Sequence, residues 1–384
     1  MWNKQVWKRE LGGNTVLTRI GLRAVLLGAA GMLVLGAAAR AEDAVQAAKD
    51  YIGKVTAPVT TWDGPTTGPK AVGRKLIVYV SADQRNGGAR GVGEGIEEAG
   101  KILGWEVRSI DGQGSVNARA AGIAQAIALK ADGIVLDAID AAEQASAIEP
   151  AVKAGIKVVG WHSGPKPGPM PEYGIFTNVT TDPLEVAKAA ASYAVANSNG
   201  KAGAIIFTDS AYKIAIAKSD AMAAVIKQCP TCTLLSVQDT PLADAADRMP
   251  QLTTSLLQRF GSKWTYALSI NDLTFDFMAP SLQSAGMPGD GAPHAISAGD
   301  GSGPAFQRIQ SGDYQMATVA EPLRLHGWQE VDELNRAFAG AQPSGYVAPP
   351  HLFIKANINR DGGPHDIFDP QNGYEQAYRK IWGK

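Results

Sequence analysis

The sequence predicts an α/β fold built as two doubly wound, parallel-sheet lobes joined by a hinge. Three observations predict it. Short, nearly unbroken apolar runs alternate with longer helical stretches, this alternation comes as two successive series of similar length, and further strand and helix pieces follow the second series. Apolar runs without polar alternation are strands buried on both faces, and strands separated by helices pair in parallel. A chain of 384 residues holds two domains of ordinary size.

The first series has strands at Lys75–Ser81, Glu106–Ile110, Gly133–Leu136 and Lys157–Trp161, with helices at Gly88–Leu103, Asn117–Lys130 and Ala141–Ala154. A helix then opens the second series. Asp182 caps it, Pro183 suits its first turn, Glu185 has the capping-box spacing, and Asn199-Gly200 ends it. The second series runs strand Ala202–Thr208, helix Tyr212–Gln228, strand Thr233–Val237, helix Asp244–Phe260, strand Thr265–Ser269, helix Leu273–Ala285 and strand His294–Ala298. Strand Gln315–Ala320, helix Pro322–Ala339, strand Leu352–Ala356 and helix Tyr374–Trp382 come last. Two lobes strung in line do not need these pieces, so the chain crosses between lobes more than once, and such crossings form a hinge.

Residues 1–41 read as a signal peptide. Lys4, Lys8, Arg9, Arg19 and Arg23 precede the apolar run Ala24–Ala39, and Ala39-Arg40-Ala41 is a small-x-small cleavage site. The run falls short of the roughly 20 residues that span a bilayer, and no cysteine follows it to carry a lipid. The expectation is a secreted protein, periplasmic in a bacterium. Residues 42–73 form an N-terminal extension. Glu42–Lys54 has helical composition, and Pro58, Gly64, Pro65, Gly68 and Pro69 then interrupt regular structure.

The formal net charge is −1 with both signs mixed along the chain, so neither a nucleic-acid stripe nor an acidic tail is present. Cys229 and Cys232 are the two cysteines, placed between a helix and the strand Thr233–Val237. In an oxidising compartment they read as a small structural disulfide, with free thiols and redox activity as the alternatives. Catalytic and cofactor signatures are missing. There is no phosphate loop and no His-Glu-x-x-His, and the five histidines are scattered. The reading is a protein that is not an enzyme and needs no cofactor or metal.

Leu76–Ser81, Gly95–Trp105, Ala131–Leu136, Ala154–Val159, Ser269-Ile-Asn-Asp272, Gly299-Asp-Gly301 and Ala317–Glu321 carry a family resemblance in their order and spacing. The chain resembles the periplasmic sugar-binding proteins of the ribose-binding type that serve ABC transporters. The resemblance implies crossovers near Thr180, Pro322 and Pro349. It divides the chain into lobe 1 (residues 74–180 plus 322–348) and lobe 2 (residues 181–321 plus 349–384). It also implies a monomer that closes over a small polar solute, a sugar or polyol, and hands it to a permease. Its only contact with a membrane is through that permease.

Ligands of open parallel sheets bind beyond the carboxyl ends of the strands, so the loops there hold the candidate ligand-binding residues. After the first strand come Asp83, Gln84, Arg85 and Asn86, followed by Gly87 and Gly88 where the family has aromatic rings. After the fourth strand, Trp161 offers a stacking face, and His162-Ser163 align with the family's Asp-Arg pair. In the second lobe Tyr212 offers a ring and a hydroxyl, and Ile216 or Lys218 replaces a family arginine. Asn271 and Asp300 match the family's solute-binding amide and acid, and Glu321 stands at a crossover. With Asp83, Asp300 and Glu321 opposed to Arg85, a zwitterionic or cationic solute is an alternative to a sugar, and a nucleoside or aromatic compound is another. The core also resembles that of sugar-responsive repressors, whose helix-turn-helix is replaced here by the leader. A periplasmic sensor or chemotaxis component is therefore the second reading.

Overall fold

The computed structural model describes residues 40–384. The expected leader falls on residues 1–39 and so lies outside the described residues, apart from its last two positions. A helix, α1, covers residues 40–55. No helix among the described residues is long and apolar enough to cross a membrane.

Lobe 1 is a six-stranded sheet in the order β2-β1-β3-β4-β6-β5. Its strands are β1 (Leu76–Ser81), β2 (Glu106–Asp111), β3 (Gly133–Asp137), β4 (Lys157–Trp161), β5 (Gly168–Met170) and β6 (Ile175–Val179). All pair in parallel except β5, which runs antiparallel to β6. The helices of this series are α2 (Gly87–Leu103), α3 (Val116–Ala128) and α4 (Ala145–Lys153). Asn86 caps α2 by accepting from the Gly88 amide, and Gly104 ends it at φ 76°. The β5–β6 pair was not expected. Strand β5 sits in a segment rich in glycine and proline that reads as a loop, at the sheet edge where proline is tolerated, and β6 follows it between β5 and β4.

The second sheet has the order β12-β11-β10-β9-β7-β8. Helix α5 (Pro183–Asn197) opens the series, which continues with β7 (Gly203–Thr208), α6 (Lys213–Gln228), β8 (Thr233–Asp239), α7 (Ala245–Phe260), β9 (Tyr266–Ser269), α8 (Leu273–Ser284), β10 (His294–Ser297), α9 (Gly303–Ser311) and β11 (Ala317–Ala320). Helix α9 was also unforeseen, its nine residues being hidden behind Gly299, Gly301 and Gly303. Helix α10 (Leu323–Phe338) returns to the first lobe and packs on α2, while β12 (His351–Ile354) pairs antiparallel with β11. Cys229 and Cys232 are bonded to each other just after α6.

Asp182 caps α5 as expected, its carboxylate accepting from the Leu184 amide. Glu185 does not close a capping box. Its carboxylate accepts from the Tyr51 hydroxyl at 2.6 Å instead, which ties α1 to α5. Ala48 and Val55 of α1 enter the same apolar cluster as Val186 and Ala190.

One domain assignment needs correction. Residues 374–384 do not belong to lobe 2. Helix α11 (Tyr374–Trp382) carries Tyr374, Tyr378, Ile381 and Trp382 on one face, and that face completes the core of lobe 1. Trp382 stacks on Trp328 with ring centroids 5.6 Å apart, and its indole donates to Asp332 at 2.8 Å. Four large apolar side chains at helical spacing need a core, and α10 presents one.

The extension likewise joins both lobes. Val59 packs on the Phe306–Phe353 cluster of lobe 2, whereas Trp62 lies against Tyr346 and Tyr378 of lobe 1 at 5.0 and 5.4 Å. Ala71 then donates its amide to the Trp382 carbonyl at 3.0 Å. Two more passages thus accompany the three crossovers expected near Thr180, Pro322 and Pro349.

Candidate functional site

The strand ends of the two sheets face each other across a cavity lined by both lobes. Direct bonds cross it. Arg119 of α3 donates to the Tyr212 hydroxyl at 3.2 Å, and the Lys213 amide donates to Asp140 at 3.1 Å. Two glycines of α2 complete the approach. A Cβ on Gly88 would lie 2.3 Å from Asp300 Oδ2, and one on Gly87 2.8 Å from Ser302 Cβ. These glycines allow the first turn of α2 to press against the second lobe, which is why no side chain stands there.

Six of the expected residues line this cavity: Asp83, Asn86, His162, Tyr212, Asn271 and Asp300. Four do not. Gln84 turns into lobe 1 and donates to the Tyr79 hydroxyl at 3.1 Å. Arg85 folds back on Asp83 at 2.6 Å with 60 % of its side chain exposed. Trp161 has no exposed surface and donates to His326 Nδ1 at 3.1 Å. Its ring is a floor under His162, stacked at 3.7 Å, and offers no face to a solute. Glu321 is fully buried behind the cavity.

Glu321 organises a charged cluster at the crossover. Both of its oxygens lie 3.0 Å from His162 Nε2, and the Thr181 amide donates to Oε2 at 3.2 Å. Lys218 Nζ lies 3.5 Å from Glu321 and 3.8 Å from Asp300. Burial opposes the charge on Glu321, but His162 and Lys218 outweigh it and hold the carboxyl well below its ordinary range. Asp300 goes the other way. Burial pushes it up to about 6, against the opposing pull of Lys218 and His162. Asn271 Nδ2 donates to Asp300 Oδ2 at 2.7 Å while Asn271 Oδ1 accepts from the Leu273 amide, so the head of α8 fixes both groups. Asp272 accepts from the Gly301 and Ser302 amides and holds the Asp300 loop in place.

His162, Asp300 and Glu321 bring ligand atoms within 4.8 Å of one another, a spacing that could hold a metal ion. The Lys218 ammonium already supplies the positive charge beside both carboxylates. The cluster is better described as a buried ion network than as a metal centre.

The pair Arg119–Glu143, joined at 2.7 Å, was not among the sequence candidates, whereas Lys218 was named only as one of two replacements for a family arginine, and it, not Ile216, lines the cavity. A signal for each existed. Lys218 falls on the buried face of α6 with Ile214 and Met222, and Arg119 on that of α3 with Ile123 and Ala126. A long cation on an apolar face has a partner inside the fold.

Behind the cavity, burial pushes Asp137 up to about 8, and burial also raises Glu330. The Tyr79 hydroxyl donates to Asp137 Oδ2 at 2.7 Å, and Oδ1 has no partner. The unfolded chain loses this proton near pH 4 and the folded one near pH 8. Stability from this group is therefore complete below about pH 4 and declines through the window, by up to about 1.4 kcal/mol per pH unit. Asp137→Asn is expected to flatten the fall in Tm between pH 5 and pH 8 and to leave the variant at least as stable at pH 8. Parallel profiles in circular-dichroism melts would refute this.

Residues 77–342 match the family model of the periplasmic binding protein domain. The chain belongs to that family. No curated protein matches it in sequence. Among solved structures, this periplasmic binding protein is similar to a solute-binding protein of an ABC transporter from Agrobacterium vitis bound with α-D-tagatopyranose. The TM-score is 0.67 at 15 % identity, over 77 % of this chain and 99 % of that one. A second protein from the same organism, with bound allitol, gives 0.62 at 21 % identity over 74 % and 97 % of the two chains. A third, from Mycobacterium smegmatis with bound glycerol, gives 0.64 at 19 % identity over 75 % and 96 %. These likenesses establish the two-lobed fold.

Proposed function

We propose that this protein is a periplasmic receptor that captures a small polar solute between its lobes and delivers it to an ABC permease. The observation that carries the reading is the cavity itself. It lies where parallel sheets bind ligands, both lobes line it, and side-chain bonds cross it. Asn86 Nδ2 and His162 Nδ1 have no hydrogen-bond partner among the described residues, and Asp300 Oδ1 meets only Lys218 at 3.8 Å. These groups are left for a solute, whose hydroxyls can pair with them in place of water. A solute that touches both lobes favours the closed form, which gives a permease something to distinguish. The sugar, polyol and glycerol complexes of the structural neighbours support a hydroxyl-rich solute. Binding without turnover, a monomeric state and export by the leader belong to the same reading.

Calorimetry with a panel of sugars and polyols tests it. One solute per chain is expected, with a smaller radius of gyration by X-ray scattering on saturation. Asp300→Ala is expected to abolish the binding heat. Two solutes per chain, or undiminished binding by the variant, would refute the site.

A further inference from the structure

We infer that the cleft is specific for a compact, uncharged polyol with a hydrocarbon edge, and that it excludes both hexopyranoses and anionic solutes. This rests on the receptor reading above and names its solute class. Three observations converge on it. The first is charge. Three cations in and around the cleft are matched by carboxylates: Arg85 by Asp83 at 2.6 Å, Arg119 by Glu143 at 2.7 Å, and Lys218, which lines the cavity, by Glu321 at 3.5 Å. Asp300 adds an acceptor beside the last pair. A carboxylate or phosphate solute inside the cavity would therefore find Lys218 already engaged and would meet Asp300.

The second observation is room. The cavity measures about 60 Å³, against the roughly 300 Å³ at which ordinary ligand pockets begin. Gly87 and Gly88 bring α2 against Ser302 and Asp300, so the helix start takes the space that flanking rings would occupy. The third is the wall. Ile214, Leu242, Ile270 and Leu273 give the cavity an aliphatic wall, and Asp83, Asn86, His162, Lys218, Asn271 and Asp300 contribute its hydrogen-bonding groups. The rings lining it are Tyr212, whose hydroxyl is held by Arg119, and the small imidazole of His162, whose other side is stacked on Trp161. A short carbon chain with neighbouring hydroxyls fits an aliphatic wall better than the broad face of a pyranose does.

The test titrates glycerol, erythritol, glucose and glycerate into the purified protein by calorimetry. Glycerol or erythritol is expected to bind at least about tenfold tighter than glucose, with glycerate giving no heat. Glu143→Gln, which leaves the Arg119 charge unmatched, is expected to admit glycerate within about tenfold of the polyol. Asp83→Asn does the same for Arg85 and serves if the first variant melts early. Glucose binding as tightly as the polyols, or glycerate binding to the unaltered protein, overturns the inference and leaves the receptor reading standing. Failure of glycerate to bind either variant overturns the charge argument. No heat from glycerol, erythritol or glucose overturns the inference and the receptor reading together.

Discussion

Glu321→Ala is expected to lower the unfolding free energy by about 3–5 kcal/mol, the cost of removing one partner from a buried ion pair. The reason lies in what remains. Lys218 and His162 keep their positions near Asp300, and the Thr181 amide loses its acceptor. Asp300, already raised by burial, must then balance Lys218 alone. Glu321→Gln keeps the volume and an acceptor for Thr181 and should lose less. The sign of the pH dependence follows from the depressed carboxyl. Its contribution is fully present above the ordinary glutamate range and is lost as pH falls through the lower folded value. The gap between native protein and alanine variant should therefore persist from pH 8 to pH 5. Urea unfolding followed by tryptophan fluorescence measures it. A loss below about 1 kcal/mol, the scale of an exposed pair, would mean that water reaches this cluster.

Trp382→Ala should be comparably severe, costing about 3–5 kcal/mol as buried aromatic truncations do. Trp382 is 2 % exposed, stacks on Trp328 and Tyr378, and donates to Asp332. Its loss opens a hole between α10 and α11 and strips a hydrogen bond from a buried carboxylate. Trp382→Phe restores most of the packing without the donor, and should recover more than half of the loss. If a chain ending at residue 373 melted like the full one, the placement of α11 in lobe 1 would be wrong.

The fold was legible because its strands are short, apolar and regularly spaced. Lys157–Trp161 and Tyr374–Trp382 fall on their observed limits, and most other elements shift by a residue or a few at their ends. Two of the elements that escaped, β5 and α9, begin in glycine and proline, whereas β6 (Ile175–Val179) carries neither and follows directly on the glycine- and proline-rich stretch that masks it. The placement of α11 escaped for another reason. Periodicity shows that a helix has an apolar face but not which core receives it, and α11 follows a lobe 2 strand while packing on lobe 1. The site divides along similar lines. Asn271 and Asp300, in the loops after β9 and β10, are held beside each other at the cavity. In the first lobe, Gln84, Arg85 and Trp161 look equally available in sequence, yet each finds a partner inside its own lobe. Residue type at a strand end identifies candidates, and intralobe partners decide which of them stay free.

The core of lobe 1 is finished by residues from both ends of the described chain. Trp62 and Val72 meet Tyr378 and Asn335, and Trp382 stacks on Trp328 from the far side of the sequence. A nascent chain therefore cannot complete this lobe before Tyr374–Trp382 has left the ribosome. Contacts of such long sequence separation also fold slowly. Before α11 docks, Trp328 lacks the ring that stacks on it and Asp332 the indole that donates to it, so lobe 1 gains its full stability only at that step.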